Sequence, residues 1–177
     1  MKIYNLNSIL TNLQDGLLFL DNTSLILLLN YREQFSEVLY KLRKENCAFL
    51  TIPSVAFEFQ RTDSIEGLNK RTDFLNTYTK IYQIERHIHE FDEVITVLQK
   101  IKGKISYSDF LLYCCLYKFA GSMLLTENHK DFTTNILDRV TIFTIDNEGP
   151  NLRTTGLYCL NKTKYEKVVT SILSNNV

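Results

Sequence analysis

The sequence predicts an α/β fold, a three-layer α/β/α sandwich on a central, mostly parallel sheet. Three observations predict it. Short apolar runs alternate with stretches of helical spacing through most of the 177 residues, the pattern of strands joined by crossover helices. The runs themselves are nearly continuous in apolar residues, as in strands buried on both faces. With two prolines and six glycines, the chain has little material for a long linker or a low-complexity segment.

The elements follow in order. Leu17–Leu20 reads as a buried strand that ends in polar residues, and 24–29 as a short helix. Over 31–44, Phe35, Val38, Leu39 and Leu42 recur at helical spacing with charges between them. Residues 47–52 read as a second buried strand, after which Pro53 and Ser54 point to the capped start of a helix that contains Glu58. Residues 74–84 and 91–101 both have helical periodicity, and 81–84 also suits a short strand. Val94, Val97, Leu98 and Ile101 share one face, and Gly103 is a natural helix stop. Ser106 and Ser108 precede a strongly apolar helix over 109–119, and Gly121 separates it from a strand over 122–126. A short polar helix over 130–137 then leads to a strand over 140–145. The expected division is a main domain over 1–149 and a C-terminal extension, 150–177, packed on it. That extension reads as a strand over 156–160 and a helix over 164–173, serving as an edge strand with a covering helix or as a dimer contact.

Bulk properties exclude little. Net charge is zero, so nothing announces a nucleic-acid binder, although a local basic patch is still compatible with one. The opening Met1-Lys2-Ile3-Tyr4-Asn5-Leu6-Asn7 lacks the apolar stretch of a signal peptide. The most apolar region, 17–29, is interrupted by Asp21, Asn22, Thr23 and Ser24 and is shorter than the about 20 residues that span a bilayer. Cys47, Cys114, Cys115 and Cys159 show no metal or redox spacing and read as reduced thiols of a cytoplasmic protein.

Four segments deliver acidic or amide side chains to the ends of apolar runs: Leu17 to Asp21, Val55 to Glu58, Ser106 to Asp109, and Leu124 to Asn128. Burying an unpaired charge is costly, so four such groups at the mouths of core elements point to one shared site offset by a hard cation. In an open parallel sheet the working crevice lies beyond the carboxyl ends of the strands. Asp21 stands at such an end, and Asn128 follows another. Asp109 falls in the first turn of its helix, where the dipole tolerates negative charge. Glu58, between Phe57 and Phe59, belongs to a helix expected to be largely buried, so its carboxylate needs a partner. Oxygen donors suit Mg²⁺ or Mn²⁺ better than zinc, and such an ion supports hydrolysis of phosphodiesters.

On these residues the chain resembles the PIN domains, and within them it is most similar to the VapC-type toxin ribonucleases of toxin–antitoxin modules. The resemblance rests on Leu20-Asp21-Asn22-Thr23-Ser24, Pro53-Ser54-Val55-Ala56-Phe57-Glu58, Ile105-Ser106-Tyr107-Ser108-Asp109 and Thr126-Glu127-Asn128-His129-Lys130-Asp131-Phe132, in the family's order, over residues 17–146. It implies a Mg²⁺- or Mn²⁺-dependent endoribonuclease acting on RNA. Asp21, Glu58 and Asp109 match the three central acids. Asn128 matches the fourth acidic position, with Asp131 supplying or supporting the charge there. Thr126 matches a hydroxyl lining the site, and Thr23 or Ser24 orients Asp21. It also implies homodimers and neutralisation by an antitoxin protein. Two positions depart from the family pattern: the hydroxyl after Asp21 stands one place later, and Asn128 is uncharged.

Plainer roles are open for each residue. Asp21 suits a helix cap, Asp109 a first-turn residue, and Asp131 a solvated one. His87 and His89 match no zinc spacing, and His129 suits an exposed loop. Arg32, Arg61, Lys118 and Lys130 are candidates for phosphate contacts near the mouth. An impaired PIN-fold module that binds RNA or protein is the alternative function. A receiver-like signalling domain fits less well, because Asp21 is followed by Asn22 and not by a second acid.

Overall fold

A computed structural model describes residues 16–145, apart from 34, 37–39, 41–43 and 45, together with 153–174. Among these residues the chain forms a six-stranded sheet in the order β3-β2-β1-β4-β6-β5. The central strand, β1 (Leu17–Leu20), pairs in parallel with β2 (Ala48–Thr51) on one side and with β4 (Met123–Thr126) on the other. Its side chains Leu18, Phe19 and Leu20 are buried, which is why an uninterrupted apolar run was needed there. Beyond β2 lies the two-residue β3 (Lys80–Ile81), short and exposed, as edge strands commonly are.

The helices are set by local signals. Asp21 caps α1 (Asn22–Asn30), accepting from the Ser24 N–H. α2 (Pro53–Gln60) begins on Pro53, so the cap position falls to Ile52, which offers no acceptor. The expected Ser54 cap is therefore absent, and the Ser54 hydroxyl has no partner among the described residues. Proline at the first helical position, with its missing N–H and preset φ, sets this start instead. Ser64 caps α3 (Ile65–Tyr78). A 3₁₀ segment, Ile84–Phe91, runs into α4 (Asp92–Lys102), which stops at Gly103 with φ +71. α5 (Tyr107–Lys118), capped by Ser106, is buried continuously from Ser108 to Leu116. The described residues between 32 and 44 are helical and Phe35 is buried, whereas Val38, Leu39 and Leu42 lie outside the described residues.

Two expectations fail in the second half. Where a helix was expected over 130–137, residues 130–136 make turns and bends and 137 already begins a strand. Side chains take the groups a helix would use: Thr133 N–H donates to the Tyr113 hydroxyl at 3.0 Å, and Asn128 binds Asp131 at 2.7 Å. The sheet is mostly parallel as expected, but its C-terminal strand is not at the edge. β5 (Leu137–Ile145) and β6 (Arg153–Leu160) form an antiparallel pair, and β6 runs antiparallel to β4. β6 thus occupies an interior position, and β5 takes the edge. The division proposed at 149/150 falls outside the described residues. α6 (Lys162–Ser174) is joined to α4 by a 2.9 Å bond from the Tyr165 hydroxyl to Glu93. Helices cover a mixed, mostly parallel sheet, an arrangement compatible with three layers.

Among the described residues no helix is long and apolar enough to cross a membrane. All four cysteines are free. Burial pushes the Cys47 and Cys114 thiols up to about 12, which leaves them inert at neutral pH.

Candidate functional site

The strand order places a topological switch between β1 and β4, since the chain proceeds to β2 and β3 on one side and returns to β4 on the other. Crevices open at the carboxyl ends of such a strand pair. Asp21 follows β1 there, and Thr126 ends β4.

Asp21 is 5% exposed. Its Oδ1 accepts from the Ser24 N–H at 2.7 Å, and its Oδ2 from the Thr126 hydroxyl at 2.5 Å. The Thr23 hydroxyl lies 2.8 and 2.9 Å from the two oxygens. Burial raises the carboxyl above its ordinary range, against the opposite pull of the Thr126, Ser24 and Thr23 donors. Thr126, fully buried, also accepts from the Asn128 N–H at 2.8 Å, and Thr23 accepts from the Glu127 N–H at 3.1 Å. The two hydroxyls therefore fasten the β1 end to the β4 end. Both Thr23 and Ser24 orient Asp21.

Asp109 is 9% exposed. Ser106 caps α5 by accepting from the Asp109 N–H at 3.1 Å and returns its own hydroxyl to Oδ2 at 2.7 Å, a variant of the reciprocal capping box. Burial, reinforced by the charges of Asp131, Asp21 and Glu58, pushes this carboxyl up to about 6, against the Ser106 hydrogen bond. Asp109 therefore senses the other three acids. Glu58 accepts from the Ser108 hydroxyl at 2.5 Å, which ties α2 to the start of α5. Its surroundings differ from expectation, because Phe59 is buried but Phe57 is 69% exposed. The helix presents one face to the core, and Glu58 sits half-buried at its margin.

The fourth corner is organised differently. Asp131 accepts from Asn128 Nδ2 at 2.7 Å and from Lys102 Nζ at 2.9 Å, and Lys102 followed by Asn128 hold its carboxyl below the ordinary range. Asn128 thus contributes through Asp131, and Asp131 already has a cation. No such partner serves the other three. Among the described residues neither Asp21, Glu58 nor Asp109 has a lysine or arginine within ion-pair distance. Nor do three or more carboxylate, thiol or imidazole groups among the described residues stand close enough together to hold one ion. By chemistry the donor set suits a hard divalent cation, being all oxygen and locally uncompensated. By spacing, the carboxylates must draw inward to share one.

The other candidates have separate employment. His129 lies 2.6 Å from the Tyr158 hydroxyl through Nδ1 and 3.0 Å from the Thr154 carbonyl through Nε2, so it ties the β4 loop to β6. His87 pairs with Glu90, as does Lys118, and Arg32 donates to Tyr78. Lys130 meets Lys102 through its backbone carbonyl. Of the four basic candidates, Arg61 lines a cleft beside Glu58. Sequence reasoning missed Ser108 as the partner of Glu58, Lys102 as the partner of Asp131, and the Glu127–Arg153 fork, bonded at 3.0 and 2.5 Å. The first had a signal, a serine one residue before Asp109. The other two are contacts across 29 and 26 positions with no local pattern.

Comparison of the chain with protein-family models, with curated proteins and with solved structures returns no match.

Proposed function

We propose that the chain is a Mg²⁺- or Mn²⁺-dependent endoribonuclease of PIN type, the toxin of a toxin–antitoxin pair, hydrolysing RNA phosphodiester bonds in the cytoplasm. The observation that carries this reading is Asp109. Its carboxyl is raised to about 6 by burial and by Asp131, Asp21 and Glu58, with no lysine or arginine beside Asp21, Glu58 or Asp109 among the described residues. Buried carboxylates that repel one another, Asp21 at the end of β1 and Asp109 in the first turn of α5, are the groups a hard divalent cation offsets.

In this reading Asp21, Glu58 and Asp109 would hold the ion, with Asp131 at the fourth corner, where Asn128 donates to it. A bound divalent ion supplies an activated water for in-line attack and offsets charge on the phosphoryl oxygens. The protein's own share is orientation. Thr126 and Thr23 fix Asp21, Ser106 fixes Asp109, and Ser108 fixes Glu58. Those bonds orient the carboxylates before an ion draws them together, which is how outer partners tune a metal site. A homodimer and a neutralising antitoxin belong to the same reading.

One observation favours the alternative, an RNA- or protein-binding module without catalysis. Asp131 is already paired with Lys102, which lowers the charge left for an ion. Cleavage of labelled RNA by the purified chain with Mg²⁺ or Mn²⁺, abolished by EDTA, separates the two. Asp21→Asn and Asp109→Asn are expected to lose more than the about 100-fold typical of outer partners. Unchanged cleavage in either variant overturns the assignment.

A further inference from the structure

Beside Glu58 opens a cleft of about 740 Å³ lined by Asn22, Glu58, Arg61, Thr62, Asp63 and Arg71. It draws on three elements: the first residue of α1, the end of α2 with the turn after it, and Arg71 reaching across from α3. Arg71 is anchored there. Its Nη1 donates to the carbonyls of Phe59 at 2.7 Å and Arg61 at 2.5 Å, and its guanidinium stands 5.7 Å from the centre of the Phe59 ring. Carbonyls at a helix end lack intrahelical partners and attract a cation. A guanidinium carries more donors than Nη1 alone, so the anchored group keeps N–H capacity for a ligand.

Arg61 is exposed and has no carboxylate within ion-pair distance among the described residues. Asn22, whose Oδ1 is buried with no hydrogen-bond partner among them, closes the cleft on the α1 side, where Asp21 already caps the helix start. Two acids oppose these features. Glu58 belongs to the carboxylate cluster, and Asp63 is exposed in the turn before α3. An anchored guanidinium loses little freedom when it binds an anion, whereas an exposed aspartate can turn to solvent.

We propose that this cleft is a subsite for the backbone of a single RNA strand. Arg61 and Arg71 hold a phosphate next to the bond presented to the carboxylates. The proposal rests on the ribonuclease reading and adds the path of the strand, leaving Asp21 and Asp109 past Glu58 toward α3.

The test is fluorescence anisotropy of a short labelled single-stranded oligoribonucleotide of mixed sequence, titrated with salt. The parent is the full chain carrying Asp109→Asn, so that turnover is blocked. Adding Arg61→Ala is expected to weaken binding about tenfold, the loss of one charge-assisted bond, and to make the salt slope shallower by about 0.7, the loss of one phosphate contact on a single strand. Arg71→Lys keeps the charge but not the planar fork and is expected to weaken binding by less, with circular dichroism confirming that α2 is intact. Lys167→Ala, on the exposed face of α6, is expected to leave both unchanged. Parent affinity and slope in both Arg61→Ala and Arg71→Lys overturn the subsite, as does a parent that binds no RNA. The ribonuclease reading falls separately, if the unmutated chain with Mg²⁺ or Mn²⁺ cuts no RNA whatever the binding.

Discussion

Asp109 shows how one residue can work against the stability of its own fold. Its carboxyl ionises near 3.8 in an unfolded chain and at about 6 in the folded one, so between those values the folded state binds more protons. Stability then falls as pH rises from about 4 to about 6 and stays lower above it. The gap corresponds to at most about 3 kcal/mol. Asn at this position keeps the shape and removes the charge. The metal-free Asp109→Asn protein is therefore expected to be about 1–3 kcal/mol more stable than the parent at pH 7.5 by urea unfolding, with the difference closing near pH 4. A variant less stable than the parent at neutral pH contradicts the electrostatic account. Greater stability with lost cleavage is the trade expected where a site stores repulsion for use in binding. At this scale the sequence is informative about identity and blind to company. Asp21 and Asp109 are legible because each sits at a break between an apolar run and a polar turn, and Glu58 because it interrupts an apolar helix between Phe57 and Phe59. Lys102 is not, because nothing near position 102 in the chain announces Asp131.

At the scale of elements, the ends of β1 and β4 hold the site together. The Thr126 hydroxyl serves two groups at once, donating to Asp21 and accepting from the Asn128 N–H. Thr126→Val keeps the shape and strands both partners in a buried place, which costs about 1–3 kcal/mol. Thr126→Ser keeps the hydroxyl and is expected to recover most of that loss, a comparison read from thermal or urea unfolding. Equal stability in the two variants denies the bridge. The elements themselves were readable where a local signal was complete. Leu17–Leu20 had its apolar run, α4 its periodicity and Gly103 its stop. The reading failed where side chains outbid the backbone, as at 130–137, where Tyr113, Asn128 and Lys102 take up the polar groups of the turn. It failed again at Ser54, where Pro53 already fixed the start of α2.

For the whole molecule, the position of β6 decides what the C-terminal residues are for. The short run 156–160 reads as a strand, but no local pattern tells which neighbour it joins, and the sheet inserts it between β4 and β5. In that register Gly156 stands opposite Thr126, and a Cβ there would come within 2.5 Å of the Tyr158 ring and 3.0 Å of His129. The close approach lets His129 reach Tyr158 and Thr154 while Arg153 clasps Glu127, so the loop after β4 is braced by β6 from one side as it is by α1 from the other. Leu157 and Tyr158 are only 0% and 1% exposed. A chain ending at residue 152 would leave β4 with an open edge and β5 without its strand partner, and would also lose the Tyr165 bond to Glu93. Unpaired strand edges of this kind promote association between chains. The 1–152 fragment is expected to lack a cooperative unfolding transition and to elute as aggregate in size-exclusion chromatography. A monomeric fragment with parent-like cooperativity would show that β1–β4 and their helices are self-sufficient. The point variant Leu157→Ala, expected to cost about 2–5 kcal/mol from the cavity alone, tests the same interior position in a chain that still folds.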